Sequence, residues 1–285
     1  MPSSGVERRG PAAAGFTMLE LLVSLLLTGV VLTTAVSLFT TQNKAYIEQD
    51  VASSLEQNLR FGMGAVTDTL RAGGYGVPTA NLSTWVTWVS GFTANPLIAG
   101  SAPQKLSIAS CFQDVATLST RAALGATTLS LTSSVTGKAL TDLLNTTNQK
   151  LILIDGSQSA LVTAVNATSV SIDTDPLTTG AQGLTQSIGA GASVCRVDVK
   201  TFAITTDTTT GIPWLGIDLN QGQGSQTMVQ GISNLALTSV SSKQYQVTLT
   251  ARAEQIDPAT KAYITRSLSS NVTLKNRNGN LWVLR

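Results

Sequence analysis

Glu20 is a carboxylate set inside an apolar run. Residues 15 to 39 read GFTMLELLVSLLLTGVVLTTAVSLF, and Glu20 is the one charged side chain among them. A charge held at bilayer depth costs roughly 2.5–3.5 kcal/mol on insertion scales, so such a group marks a functional site by default. It lies four residues after Phe16, one helical turn from the amine that a cut after Gly15 would free. Cys111 and Cys195 are the next reactive pair. In an oxidising compartment they suit a disulfide, with two buried free thiols as the alternative. Closing so long a loop contributes about 4–5 kcal/mol in the chain-entropy model. Asp173 and Asp175 in SIDTDPLTTG offer clustered oxygens of the kind calcium takes. A plain turn ahead of Pro176 is the simpler reading.

The chain of 285 residues has no histidine. That removes the commonest general base and the commonest metal ligand. No G-x-S-x-G, phosphate-binding loop, HExxH or CxxC pattern occurs. The sequence therefore names no catalytic residue, no metal and no cofactor, and reads as a non-enzyme. Charged residues make up 12% of the chain and the formal net charge is +2. Such a near-neutral, Ser/Thr-rich surface carries no footprint for nucleic acid.

The elements that must position Glu20 are helical. Phe16 to Phe39 is about 24 residues, roughly 36 Å as a helix, against a bilayer core of ~30 Å. Arg8 and Arg9 supply a positive flank that places the C-terminal bulk outside the cytoplasm. Helical periodicity continues beyond the apolar run. Ile47, Val51, Leu55, Leu59, Met63, Val66 and Leu70 form one apolar stripe, expected to pack on a sheet. The spacing predicts a helix from Phe16 to about Arg71, ended by Gly73, Gly74, Gly76 and Pro78. Trp85 and Trp88 follow, read as core between helix and sheet, with an exposed partner-binding patch as the alternative.

Beyond Pro78 the sequence is β in character. Strands are expected at 106–110, 127–133, 150–155, 160–165, 169–173, 194–205, 232–240, 245–255 and 262–274. Tyr245, Val247, Leu249, Ala251 and Ala253 share one face, and Ile264, Leu268, Val272 and Leu274 return on one face after Asp257–Pro258. LILIDGSQSALVTAV reads as a hairpin turning around Asp155–Ser159. Residues of about 115–190 form short strands that suit an inserted barrel or hairpin subdomain. The stretches 205–211 and 220–226 read as surface connections.

GFTMLELL resembles the class III signal of type IV prepilins: a Gly, then Phe, Thr, two apolar residues and Glu ahead of an apolar helix. The resemblance implies cutting between Gly15 and Phe16 by a prepilin peptidase and methylation of the new Phe16 amine. It implies too that Glu20 neutralises the N-terminal amine of a neighbouring subunit. Ala14, where a basic residue is usual, and Ser37, where many major pilins carry Pro, depart from the pattern. LRAGGYG at the helix exit and VQGISNLALTSV through NVTLKNRN near the C-terminus resemble PilW-type minor pilins.

The expected fold is α+β and type IV pilin-like: a long N-terminal helix packed on an antiparallel β-sheet with an inserted β-rich subdomain. Its parts are a leader (1–15), a transmembrane and filament-core helix (16–41), an amphipathic half (42–72) and an extracytoplasmic domain (73–285). The function so implied is that of a minor pilin, held in the inner membrane as a single-pass protein until it joins a pilus. Its partners would be prepilin peptidase, major and minor pilins, the inner-membrane assembly platform and membrane lipid. A minor pseudopilin of type II secretion and a tip adhesin or DNA-uptake pilin are the alternatives.

Overall fold

The computed structural model describes residues 17–77, 105–146, 150–219, 223–241, 244–257, 260–274 and 283–284. The leader, Gly15, Phe16, Pro78, Trp85 and Trp88 lie outside the described residues. The chain divides into two compact units, Met1–Val51 and Ala52–Arg285. One helix, α1 (Met18–Ala72, 55 residues), contributes to both.

Among the described residues the first unit is helix alone, and every side chain from Met18 to Asp50 is exposed. The second unit opens on the last turns of α1. There Leu55, Leu59, Met63, Val66 and Leu70 are buried, at the three- and four-residue spacing that puts them on one face. Ile47, the first member of the expected stripe, is 56% exposed and Val51 is half-buried, so the buried part of the stripe starts at Leu55. The contact is close at Gly62. A Cβ there would stand 3.3 Å from both Leu215 Cδ2 and Leu249 Cδ1.

The strands are β1 (Lys105–Leu118), β2 (Thr128–Ser133), β3 (Leu151–Ile154), β4 (Gln158–Val165), β5 (Ser169–Asp173), β6 (Ser193–Thr206), β7 (Pro213–Asp218), β8 (Gln226–Gln230), β9 (Ile232–Ser239), β10 (Gln244–Ile256), β11 (Tyr263–Thr273) and β12 (Val283–Leu284). A one-turn helix, α2 (Leu140–Leu143), lies between β2 and β3. All described pairings are antiparallel. One sheet runs β12-β1-β2-β5-β4-β3-β6-β7-β8, and a second runs β11-β10-β9.

Because β1 also pairs with β6, the path β1-β2-β5-β4-β3-β6 returns on itself. The result is a closed barrel, and closure leaves those strands without free edges. Val115, Leu118, Leu129, Leu131, Ile152, Ile154, Val162, Val170, Ile172 and Val194 fill it. Leu140 and Leu144 around α2, and Leu184 and Ile188 from the β5–β6 loop, join that core. β1 and β6 are each 14 residues long and serve twice. Their Cys111-to-Leu118 and Ser193-to-Val197 ends wall the barrel; their other ends pair with β12 and β7.

The glycine-rich helix exit is pinned to this junction. Gly74 N–H donates to Ala109 C=O (2.9 Å), Cys111 N–H to Tyr75 C=O (2.9 Å), and the Ser159 hydroxyl to Gly76 C=O (2.7 Å). Gly76 sits at φ +81°, and a Cβ there would come within 3.1 Å of Leu153 and Val197. Positive φ and the close approach together require glycine.

Candidate functional site

The first turn of α1 is capped by its own sequence. Thr17 is the residue before the helix, and its hydroxyl accepts the Glu20 backbone N–H at 3.3 Å. Thr17-x-x-Glu20 is the spacing of an N-terminal capping pattern, a signal present in the sequence but not used above. The cap puts Glu20 in the first turn, where the positive end of the helix dipole favours a carboxylate by about 0.3–1 kcal/mol.

Most of the other hydroxyls of the apolar half are satisfied within the helix. Ser24, Thr28, Thr33, Thr34, Thr40 and Thr41 donate their hydroxyls to carbonyls three or four residues back. Hydroxyls bonded in this way can enter an apolar medium without a stranded donor. The Glu20 carboxylate accepts no such bond among the described residues, and no cation lies nearby on the helix until Lys44. Around it Leu19, Leu21, Leu22, Val23, Leu25, Leu26 and Leu27 are all more than half exposed. The helix is long and apolar enough to cross a membrane.

A family model described as the prokaryotic N-terminal methylation motif matches residues 11–36. The chain carries a prepilin-type signal. The match spans Gly15, Phe16, Glu20 and most of the apolar run, and it supports a type IV pilin-like protein with a membrane-anchored N-terminus. No curated protein and no solved structure matches the chain.

The remaining candidates have local structural partners. Cys111 and Cys195 are joined in a disulfide with Cα atoms 5.7 Å apart, linking β1 to β6 where the barrel meets the rest of the sheet. Asp114 lies near both sulfurs, but sulfurs bonded to each other are not thiolate ligands. The Asp173 carboxylate is taken by the backbone N–H groups of Asp175 (3.0 Å) and Gln182 (3.1 Å), and that of Asp175 by the Thr178 hydroxyl (2.7 Å). Those bonds close the 174–182 loop, so the pair acts as a turn staple.

Two further features escaped the sequence reading. Arg196 forms a two-pronged ion pair with Asp198 (2.6 and 3.0 Å) and donates to Leu143 C=O (2.6 Å), tying α2 to β6. Lys200 stacks over the Phe112 ring at 4.0 Å; burial pushes its amine down, and Asp198 partly offsets this. The Leu143 and Phe112 contacts join residues distant in sequence, which no local pattern announces, whereas Arg196 and Asp198 are two apart on one face of β6, a spacing the sequence does offer.

Proposed function

We propose that the chain is a minor pilin of a type IV pilus, processed at Gly15–Phe16, N-methylated, and assembled through Phe16 and Glu20. The observation that carries this reading is the matched methylation motif leading into an apolar helix whose lone carboxylate has no partner among the described residues. The helix dipole alone does not offset the cost of a charge at bilayer depth. The amine of a neighbouring subunit's first residue would complete the pair, and the bare helix would be covered by other subunits.

Residues of about 115–190 are the inserted subdomain in this reading, and the closed barrel there favours a tip or priming position over a repeating one. A body of that size would crowd a tightly packed helical array. The extracytoplasmic domain would face the periplasm or the exterior, and the cysteine pairing suits that compartment. Prepilin peptidase, sister pilins and the inner-membrane platform are the partners implied.

The test is the N-terminal mass of the mature protein made together with a prepilin peptidase. An N-methylated Phe16 start, lost in Gly15→Ala, is expected. Glu20→Ala should still be cut but fail to enter filaments. A chain left uncut, or cut after the apolar run near residue 40, overturns the proposal.

A further inference from the structure

Among the described residues β11 has no strand beyond it, an open edge that the other described strands avoid. The barrel has no edge, β12 spans two residues and β8 five, and β9 lies against β6 and β7. β11 is 11 residues long and ends its sheet. It pairs with β10 without interruption from Thr273↔Gln244 to Thr265↔Arg252. Natural edge strands are usually blunted by proline, bulges, repeated charge or shortness. Within YITRSLSSNVT there is no proline and one charge, Arg266.

The direction of its free groups follows from β10. Gln244 C=O accepts from Val240 N–H, and Arg252 N–H donates to Gly231 C=O, so even-numbered β10 residues bond toward β9. Odd-numbered ones therefore bond β11, through Val272, Ser270, Leu268 and Arg266. Thr265, Ser267, Ser269, Asn271 and Thr273 direct their N–H and C=O outward. Their side chains sit in the closer, non-hydrogen-bonded pairs, as the hydroxyl contacts Thr248–Ser269 (2.8 Å) and Thr250–Ser267 (2.9 Å) record. All five are exposed and uncharged, so a partner can cover them without stranding an ion.

We infer that β11 is the docking edge for an extended strand of a different pilin-type subunit, which would lengthen the β9–β10–β11 sheet by main-chain hydrogen bonds. This rests on the pilin reading above, in which the barrel disfavours a second copy of the same chain as neighbour. The strand it takes is itself uncharged and free of proline.

The experiment uses the full-length chain in its own host. Ser267→Pro/Ser269→Pro removes two outward donors while leaving the β10 bonds, and Ser267→Thr/Ser269→Thr is its control. Recovery in sheared filaments should fall at least about tenfold in the proline variant and not in the control. A photoreactive benzophenone residue at 269, in the otherwise native chain, should capture a different pilin-type subunit, and this arm stands even if the proline variant misfolds. Equal recovery of both variants, no adduct in filaments, or capture of a second copy alone overturns the inference. Glu20→Ala separates the two readings: if it is lost from filaments while the proline variant is not, only the edge inference falls. If the native chain never enters filaments, both fall.

Discussion

Gly62 of α1 and Leu215 of β7 meet so closely that a Cβ on the glycine would lie 3.3 Å from Leu215 Cδ2. Leu249 and Val229 close the same space at 3.3 and 3.7 Å. The helix thus lies on the domain with glycine as its contact residue. Gly62→Leu has no room and should destabilise by about 1–3 kcal/mol through overpacking. Gly62→Ala should stay within about 1 kcal/mol of the native chain, because the gain in helix propensity offsets a small repacking. Thermal unfolding of the two variants checks this.

The disulfide between Cys111 and Cys195 closes a loop with a sequence separation of 84. It lies beside the register shifts at Cys111/Gln113 and Asp114/Ala116, where the β1–β6 ladder is broken. Cys111→Ala/Cys195→Ala should lower stability by about 2–5 kcal/mol. Hydrogen exchange should rise first at residues 111–116, because that stretch of β1 has the least regular pairing.

How much of this was legible can be argued strand by strand. β10 reads clearly because one face is core: Tyr245, Val247, Leu249, Ala251 and Ala253 are buried, with exposed or half-buried residues between them. β11 was placed to within a residue because Ile264, Leu268 and Val272 keep the two-residue period, although only Val272 is buried. β1 was cut short at Ser110 because the register shifts destroy the two-residue period beyond Cys111. β7 and β8 were missed. Pro213 and Gly216 speak against a strand, yet Gly216 is where the ladder shifts and where a Cβ would collide with the Trp214 ring. For residues of about 115–190 a barrel was one of two readings, and the sequence could not choose it over a hairpin, since alternation tells which face is buried and not which distant strand is the neighbour. The N-terminal signal was legible because the motif is a short linear run and needs no fold.

Arg196 and Asp198 are 11% and 17% exposed, and their ion pair is anchored on the Leu143 carbonyl. Arg196→Ala removes the two-pronged partner of a largely buried carboxylate, leaving it only its charge interaction with Lys200, and should cost about 2–4 kcal/mol. Arg196→Leu/Asp198→Leu should cost less than the single change, because no buried carboxylate is stranded. Urea unfolding of the native chain and both variants measures the difference.

Asp207 turns β6 into β7. The backbone N–H groups of Thr210 (2.9 Å) and Thr209 (2.7 Å) hold its carboxyl below the usual range. A depressed folded-state value means that its contribution is present above the unfolded pKa of about 3.9 and is lost as pH falls through the lower folded one. Asp207→Ala should therefore flatten the fall of Tm between about pH 4.5 and 2 relative to the native chain, with no change in that slope near neutrality.

Glu20 can act through its charge or through its shape, and glutamine separates the two. Glu20→Gln keeps the length of the side chain and an oxygen acceptor. It also keeps the Thr17 cap, because the capped group is the backbone N–H. Processing at Gly15 should be unchanged in Glu20→Gln. If the carboxylate neutralises a neighbour's amine, Glu20→Gln should be as deficient in filaments as Glu20→Ala, since an amide cannot balance a cation in an apolar medium. Recovery of Glu20→Gln at the native level would show that a hydrogen bond suffices. Thr17→Val, which removes the cap, should cost about 1 kcal/mol of helix stability and reduce assembly less than either change at Glu20.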